Sequence, residues 1–167
     1  VVGREAEIDT ISRLYASERS EFLAIYGRRR VGKSFLIEEA LENKFSFVAV
    51  GMYQKIEQDN PEKVESYRQK QLAHFYNSLL EYGLPKTANP MPTNWMEALG
   101  LLKKLLQSKR ARRKVVFIDE LSWLAGPQSA ELLEELGHFW NSWARKRKDI
   151  FLIVCGSATS WMVDNVM

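Results

Sequence analysis

Apolar residues recur along this chain with two alternating periods. Between residues 4 and 16, Ile8, Ile11, Leu14 and Tyr15 stand three or four positions apart among charged neighbours, the spacing of an amphipathic helix. Phe22-Leu23-Ala24-Ile25-Tyr26 is a short unbroken apolar run and predicts a buried strand, after which Phe35, Leu36, Ile37, Ala40 and Leu41 restore helical spacing over 33–43. Phe45 to Val50, rich in β-branched and aromatic residues and closed by Gly51, predicts a second strand. Leu72, Phe75, Tyr76, Leu79 and Leu80 mark one face of a helix over 62–82, ended by Gly83 and Pro85. A loop with Pro and Asn spans 85–94, and Trp95, Ala98, Leu99, Leu102, Leu105 and Leu106 predict a helix over 94–108. Val115 to Asp119 forms the third strand. A helix over 128–147 carries Leu132, Leu133, Leu136, Phe139, Trp140 and Trp143, and Ile150 to Cys155 forms a fourth strand closed by Gly156-Ser157. Strands apolar on both faces, alternating with helices, imply an α/β fold with a parallel sheet covered by helices. No internal repeat is present, and 167 residues suit one domain over 1–167.

Composition changes this picture little. The chain is 46% hydrophobic and 27% charged, as soluble globular proteins are. No apolar stretch approaches the roughly 18 residues of a membrane span, and the charged start has no signal-peptide core. A cytoplasmic location without membrane contact is the expectation. The single cysteine, Cys155, sits in an apolar run and reads as a small buried hydrophobe, and two scattered histidines exclude an ordinary zinc site. The net charge of +3 is mild, but the cations come in runs: Arg28 to Arg30, Lys109 to Lys114, and Arg145 to Lys148.

The chemistry concentrates in residues 27–34, Gly-Arg-Arg-Arg-Val-Gly-Lys-Ser, a complete G-x-x-x-x-G-K-[ST] phosphate-binding loop. Gly27 and Gly32 let the backbone curl so that its N–H groups point at phosphate oxygens. Lys33 adds a positive charge for the β- and γ-phosphates, and Ser34 offers a hydroxyl to Mg²⁺. Arg28, Arg29, Arg30 and Val31 fill the variable part of the loop, where the arginines either add charge near phosphate or lie solvated on its outer surface. The apolar run before the loop and the helical run through Phe35 after it are the flanks the motif requires. Val115 to Glu120 supplies the second half: four apolar residues deliver Asp119 to a strand end as a Mg²⁺ organiser, and Glu120 follows as base for an attacking water. After the fourth strand Ser157 stands where a hydroxyl would reach a γ-phosphate, although a strand-ending turn also explains it. Asn43-Lys44-Phe45-Ser46 lacks the Asp of a guanine-reading motif, which disfavours a GTPase. Asp119-Glu120-Leu121-Ser122 departs from the superfamily 2 helicase tetrad.

With Gly27 to Ser34, Phe117-Ile118-Asp119-Glu120-Leu121-Ser122-Trp123 and Leu152 to Ala158 in this order, the chain resembles the archaeal-type ATPase family. These are STAND-class P-loop ATPases related to AAA+ and origin-recognition ATPases. Val2-Gly3-Arg4-Glu5-x-Glu7 resembles the family box that lies against adenine, so the resemblance implies a nucleotide-contacting set of Gly3, Arg4 and Gly27 through Phe35. It further implies a three-layer P-loop fold with strand order 5-1-4-3-2, ATP or ADP with Mg²⁺ held by Ser34 and Asp119, and catalysis by Glu120, Lys33 and Ser157. Gln54, past the second strand, matches the place of a polar residue that restrains the glutamate in AAA+ relatives. Trp123 reads as packing. Relatives continue into a fifth strand and a lid, which this sequence does not reach; on that reading the first strand becomes an exposed edge, and the isolated chain binds nucleotide weakly and self-associates.

An ATP-hydrolysing switch module is therefore the leading expectation. A nucleotide-binding scaffold with negligible turnover, a DNA-associated ATPase of origin-recognition type and, more weakly, a small-molecule phosphotransferase are the alternatives. The chain's own C-terminal domains or a protein partner are expected to respond to ATP. The runs Lys109–Lys114 and Arg145–Lys148 each end a helix that precedes a strand. They should therefore merge into one patch at the N-terminal edge of the sheet, where nucleic acid is the candidate partner.

Overall fold

The computed structural model describes residues 5–26, 33–52, 60–120 and 130–156. In chain order these form α1 (Glu5–Tyr15), β1 (Glu21–Tyr26), α2 (Lys33–Leu41), β2 (Phe45–Val50), α3 (Pro61–Glu81) and α4 (Trp95–Ser108). They continue with β3 (Lys114–Asp119), α5 (Glu131–Ser142), a 3₁₀ turn (Ala144–Lys146) and β4 (Ile150–Gly156). The four strands are all parallel, in the order β1-β4-β3-β2. Every residue of β3 and β4 is buried, which is why both read as unbroken apolar runs.

Side chains alternate along each strand and so divide the interior into two cores. Val116 and Ile118 of β3, with Ile150, Leu152 and Val154 of β4, face the layer made by α3, α4 and α5. Val115 and Phe117, with Phe151, Ile153 and Cys155, face α1 and α2, where Ile11, Leu36, Ile37 and Leu41 meet them. Cys155 is thus the small buried hydrophobe its surroundings suggested. Each fully buried Leu, Ile or Phe in these layers contributes about 1.5–3 kcal/mol. The result is three layers, helix, sheet and helix.

Local signals account for most element ends. Asn60 and Asn94 cap α3 and α4 by accepting the N–H groups of Lys63 and Glu97 at 3.3 and 2.8 Å, and Pro61 occupies the first turn of α3, where its missing N–H costs nothing. Gly83 adopts φ +116° just beyond α3, and the Leu84 N–H returns to the Leu79 carbonyl at 3.0 Å, closing the helix. The last helix differs from expectation: α5 stops at Ser142 instead of running to 147. Ser20 explains the early stop. Its hydroxyl donates to the Arg147 carbonyl at 2.9 Å and accepts the Ile150 N–H at 3.1 Å, drawing the chain off the helix axis and into β4. Trp143 remains half-buried, its ring 5.3 Å from Phe139 and under the Arg147 guanidinium.

The loops that enter the strands are tied together by Arg113, a residue the sequence reading treated as one more member of a basic run. It is 5% exposed. Its guanidinium donates to the carbonyls of Arg19, Lys148 and Leu14 at 2.7, 3.0 and 2.6 Å, so one side chain joins the ends of α1, the β1 loop and the β4 loop. Burial pulls its pKa below the usual arginine value, with Glu21 and Asp149 opposing that shift.

Candidate functional site

Parallel strands place all their C-terminal ends at one edge, and the strands that lead into the sequence signals all end there. Tyr26, which leads into residues 27–32, pairs in register with Gly156, which leads into residue 157. Asp119 ends β3 opposite Val50. Because β4 lies between β1 and β3, the exits toward the phosphate-loop motif and toward the Asp-Glu pair are separated by one strand, about 10 Å. Open α/β sheets bind ligands at this edge. Helix α2 starts at Lys33 and has no acidic residue in its first turn, so no carboxylate offsets the positive end of its dipole.

Asp119 is buried, at 7% exposure, and its Oδ1 accepts the Glu120 N–H at 2.8 Å. Glu120 adopts φ +53°, the left-handed region that side chains other than Gly, Asn and Asp avoid. Glu42 and Asn43 also have positive φ, but at a helix exit, where such geometry is ordinary. At Glu120 the turn falls directly after a buried strand, between two carboxylates that must diverge. A left-handed residue there swings the second side chain away from the line of the first. Strain of this kind, of order 1–3 kcal/mol, gathers at functional sites.

The neighbouring strand end is held by residues that periodicity did not reveal. The Gly51 N–H donates to the Asp119 carbonyl at 2.9 Å, extending the β2–β3 ladder by one rung. Met52 is then gripped by Gln71 of α3, whose Nε2 donates to the Met52 carbonyl at 2.8 Å while its Oε1 accepts the Met52 N–H at 3.3 Å. The Tyr67 hydroxyl reaches the same carbonyl at 3.4 Å, and burial raises its pKa, with the bond to Gln71 opposing. Gln71 is 1% exposed in an otherwise apolar helix face. That polar residue within an apolar stripe was the available signal; its partner, 19 residues earlier, was not.

Gly3, Arg4, Gly27, Arg28, Arg29, Arg30, Val31, Gly32, Gln54, Trp123 and Ser157 lie outside the described residues, as do the side chains of Lys33 and Ser34. Phe35 is described and is 61% exposed, apart from Leu36 and Ile37 of the same helix, which are buried. Among the described residues no group of three or more His, Cys, Asp or Glu is arranged to hold a metal, and no helix is long and apolar enough to cross a membrane.

Comparison with known proteins bears on the family and the fold. A family model described as an ATPase domain predominantly from Archaea matches residues 1–167. An uncharacterised ATP-binding protein of Methanocaldococcus jannaschii is 42% identical over 43 residues, 26% of this chain and 73% of that protein. A second uncharacterised protein of the same organism is 28% identical over 170 residues, covering 99% of this chain but 31% of its own length. Among solved structures, a Walker-type ATPase of Pyrococcus abyssi superposes with a TM-score of 0.56 at 19% identity, over 99% of this chain and 48% of the other. That likeness is one of fold. The chain spans less than half the length of the last two proteins.

Proposed function

As the chain belongs to the family of ATPase domains found predominantly in Archaea, we propose that it binds ATP with Mg²⁺ at the C-terminal sheet edge and hydrolyses it to reset a conformational switch. The observation that carries the proposal is the meeting, at one edge and one strand apart, of the exit toward residues 27–34 and the Asp119–Glu120 pair. In this reading the backbone of Gly27 to Gly32, with Lys33, cradles the phosphates, the N-terminal turn of α2 adds its dipole, and Phe35, Gly3 and Arg4 flank the nucleoside. The described order β1-β4-β3-β2 is compatible with the 5-1-4-3-2 arrangement of this class, a fifth strand lying beside β1.

Ser34 and Asp119 would hold the metal. Both are hard oxygen donors, as suits Mg²⁺, which takes one or two protein ligands and completes its shell with phosphates and water. Bound there, the ion neutralises charge on the β- and γ-oxygens. Glu120 orients a water and accepts its proton as the water oxygen bonds the γ-phosphorus. The bond from phosphorus to the bridging oxygen breaks, and ADP leaves with that electron pair. Ser157 steadies the γ-phosphate from the end of β4.

Calorimetric titration tests the site. Lys33→Ala should weaken ATP binding by about 3 kcal/mol, roughly 150-fold in Kd, because water cannot replace a charge-assisted contact in a partly desolvated loop. Equal affinity of wild type and variant would remove the assignment. Tight binding without turnover in the intact protein would leave the scaffold reading in place of the enzyme.

A further inference from the structure

The edge of the sheet opposite the proposed nucleotide site is strongly and unevenly charged. Segments 16–21, 42–44, 109–114 and 144–149, which lead into the four strands, carry eleven cations and four anions, a net +7 where the whole chain is +3. Helix-dipole compensation at α4 and α5 accounts for only part of this, since cations stabilise a helix within its last turn only. The structure shows which charges are already used. Lys109 donates to the Tyr82 carbonyl at the end of α3, and Arg113 staples three carbonyls. Lys114 and Arg147 share Asp149 at 3.1 and 2.8 Å. Those contacts also consume the anions: Glu21 is taken by Ser17 and Arg19, and Asp149 by its two cations. Arg110, Arg112, Arg145, Lys146 and Lys148 remain exposed, and only Glu18 and Glu42 stand exposed among the anions of these segments.

Three features point to what such a face meets. Strands of six residues put it about 20 Å from the opposite edge, beyond the Debye length of about 10 Å at 0.1 M salt, so it does not serve the phosphates of ATP. Its loops are pinned by Arg113, Ser20 and the Asp149 pairs, so the exposed side chains project from a fixed base. Neighbouring loops are spaced by adjacent strands, about 4.8 Å, a grid of positive charge. The cavity of about 270 Å³ on this face is lined by Glu18 and Asp149 as well as Arg112, Arg113 and Lys148, and Arg110, Arg145 and Lys146 are not part of its lining. We propose that this face binds the phosphodiester backbone of a nucleic acid without sequence preference, through Arg110, Arg112, Arg145, Lys146 and Lys148. An extended, regularly charged polyanion satisfies all five cations at once, and counterion release drives its binding.

Fluorescence anisotropy of a short labelled DNA duplex of mixed sequence, with the full-length protein, tests this. Five phosphate contacts give a slope of log affinity against log salt of about −4.5, or roughly 500-fold weaker binding at 200 mM than at 50 mM salt. Replacing the five cations by Ala should abolish binding at 50 mM salt, and Arg112→Glu combined with Lys148→Glu should weaken it at least tenfold. Both variants keep Arg113 and Asp149, and ATP binding measured on the same samples should be unchanged. Salt-independent binding, no binding at 50 mM salt, or full binding by the double variant would overturn the proposal. Equal affinity for polyglutamate of matched charge would assign the face to an acidic protein instead and overturn it as well.

Discussion

The two edges of one sheet are built on opposite principles. At the N-terminal edge the charges that enter the protein are tied down: Arg113 meets three carbonyls while its Nε stays unpartnered, Asp149 meets Arg147 and Lys114, and Ser20 both donates and accepts. At the C-terminal edge two carboxylates stand in sequence, the first buried and the second on a left-handed backbone that its side chain disfavours. The same parallel strands support both. Stability is concentrated where loops are stapled. Of the four described non-glycine residues with positive φ (Glu42, Asn43, Ala88 and Glu120), one, Glu120, stands where the family's chemistry is expected. Consistency between local preference and fold tends to fail at functional sites, and the failure at Glu120 is of that kind.

The comparison predicts that substitutions at the stapled edge change stability and leave the proposed site intact, whereas substitutions at the strained edge act on the proposed site with smaller effects on stability. The largest effect on stability should come from Arg113→Met, which removes the donor from three partly buried carbonyls. It should cost about 3 kcal/mol or more in urea denaturation, and the fraction that remains folded should bind ATP normally. A loss below about 0.5 kcal/mol would show that the staple is ornamental.

Next in size is Gln71→Leu, on the side of the site. It frees the Met52 N–H, leaves the Met52 carbonyl only the longer contact with the Tyr67 hydroxyl, and through the Gly51 rung loosens the Asp119 strand end. Because Met52 is partly exposed, water replaces some of the loss, and stability should fall by about 1–2 kcal/mol. Turnover should fall about tenfold with KM unchanged, since misplaced catalytic groups affect chemistry more than binding. A KM increase at constant kcat would make Gln71 a binding residue instead of a positioning one.

How far these features could be read in the sequence depended on whether the signal was local. The nine segments that carry apolar periodicity all became elements of the expected kind, because a strand covered on both faces must be apolar throughout and an amphipathic helix must repeat its stripe. The end of α5 was misjudged because Trp140 and Trp143 continue the stripe past Ser142, while the device that ends the helix, Ser20, lies more than 120 residues earlier. Arg113 and Lys114 were indistinguishable in sequence from Arg110 and Arg112; only the fold decides which basic side chains turn inward. The place of Asp119 and Glu120 at a strand end was legible because the apolar run before them announces the strand. The left-handed backbone of Glu120 was not.

Acid should weaken the stapled edge through Asp149. Burial by itself would raise the Asp149 pKa, but hydrogen bonds from Arg147 and Lys114 hold it at about 2, below the usual 3.8. A depressed carboxylate contributes stability above its unfolded pKa and loses it as pH falls through the folded value. Denaturation midpoints should therefore drop between about pH 4 and pH 2, and Asp149→Asn should remove that component of the acid limb. An identical acid limb in the variant would place the titrating group elsewhere. The smallest effect belongs to the strained edge: Glu120→Gly relieves a positive φ and should stabilise the fold by up to about 1 kcal/mol, less the extra freedom glycine has when unfolded. Destabilisation by that amount would mean that the backbone there is not strained.

The central claim is that Glu120 is held in its disfavoured conformation to act on a water at the γ-phosphate. Glu120→Gln in the full-length protein keeps the side chain's size and backbone while removing its basicity, so single-turnover hydrolysis measured beside ATP affinity tests the claim directly. The account predicts unchanged ATP affinity and hydrolysis slower by about two orders of magnitude or more. Hydrolysis at the wild-type rate would contradict it.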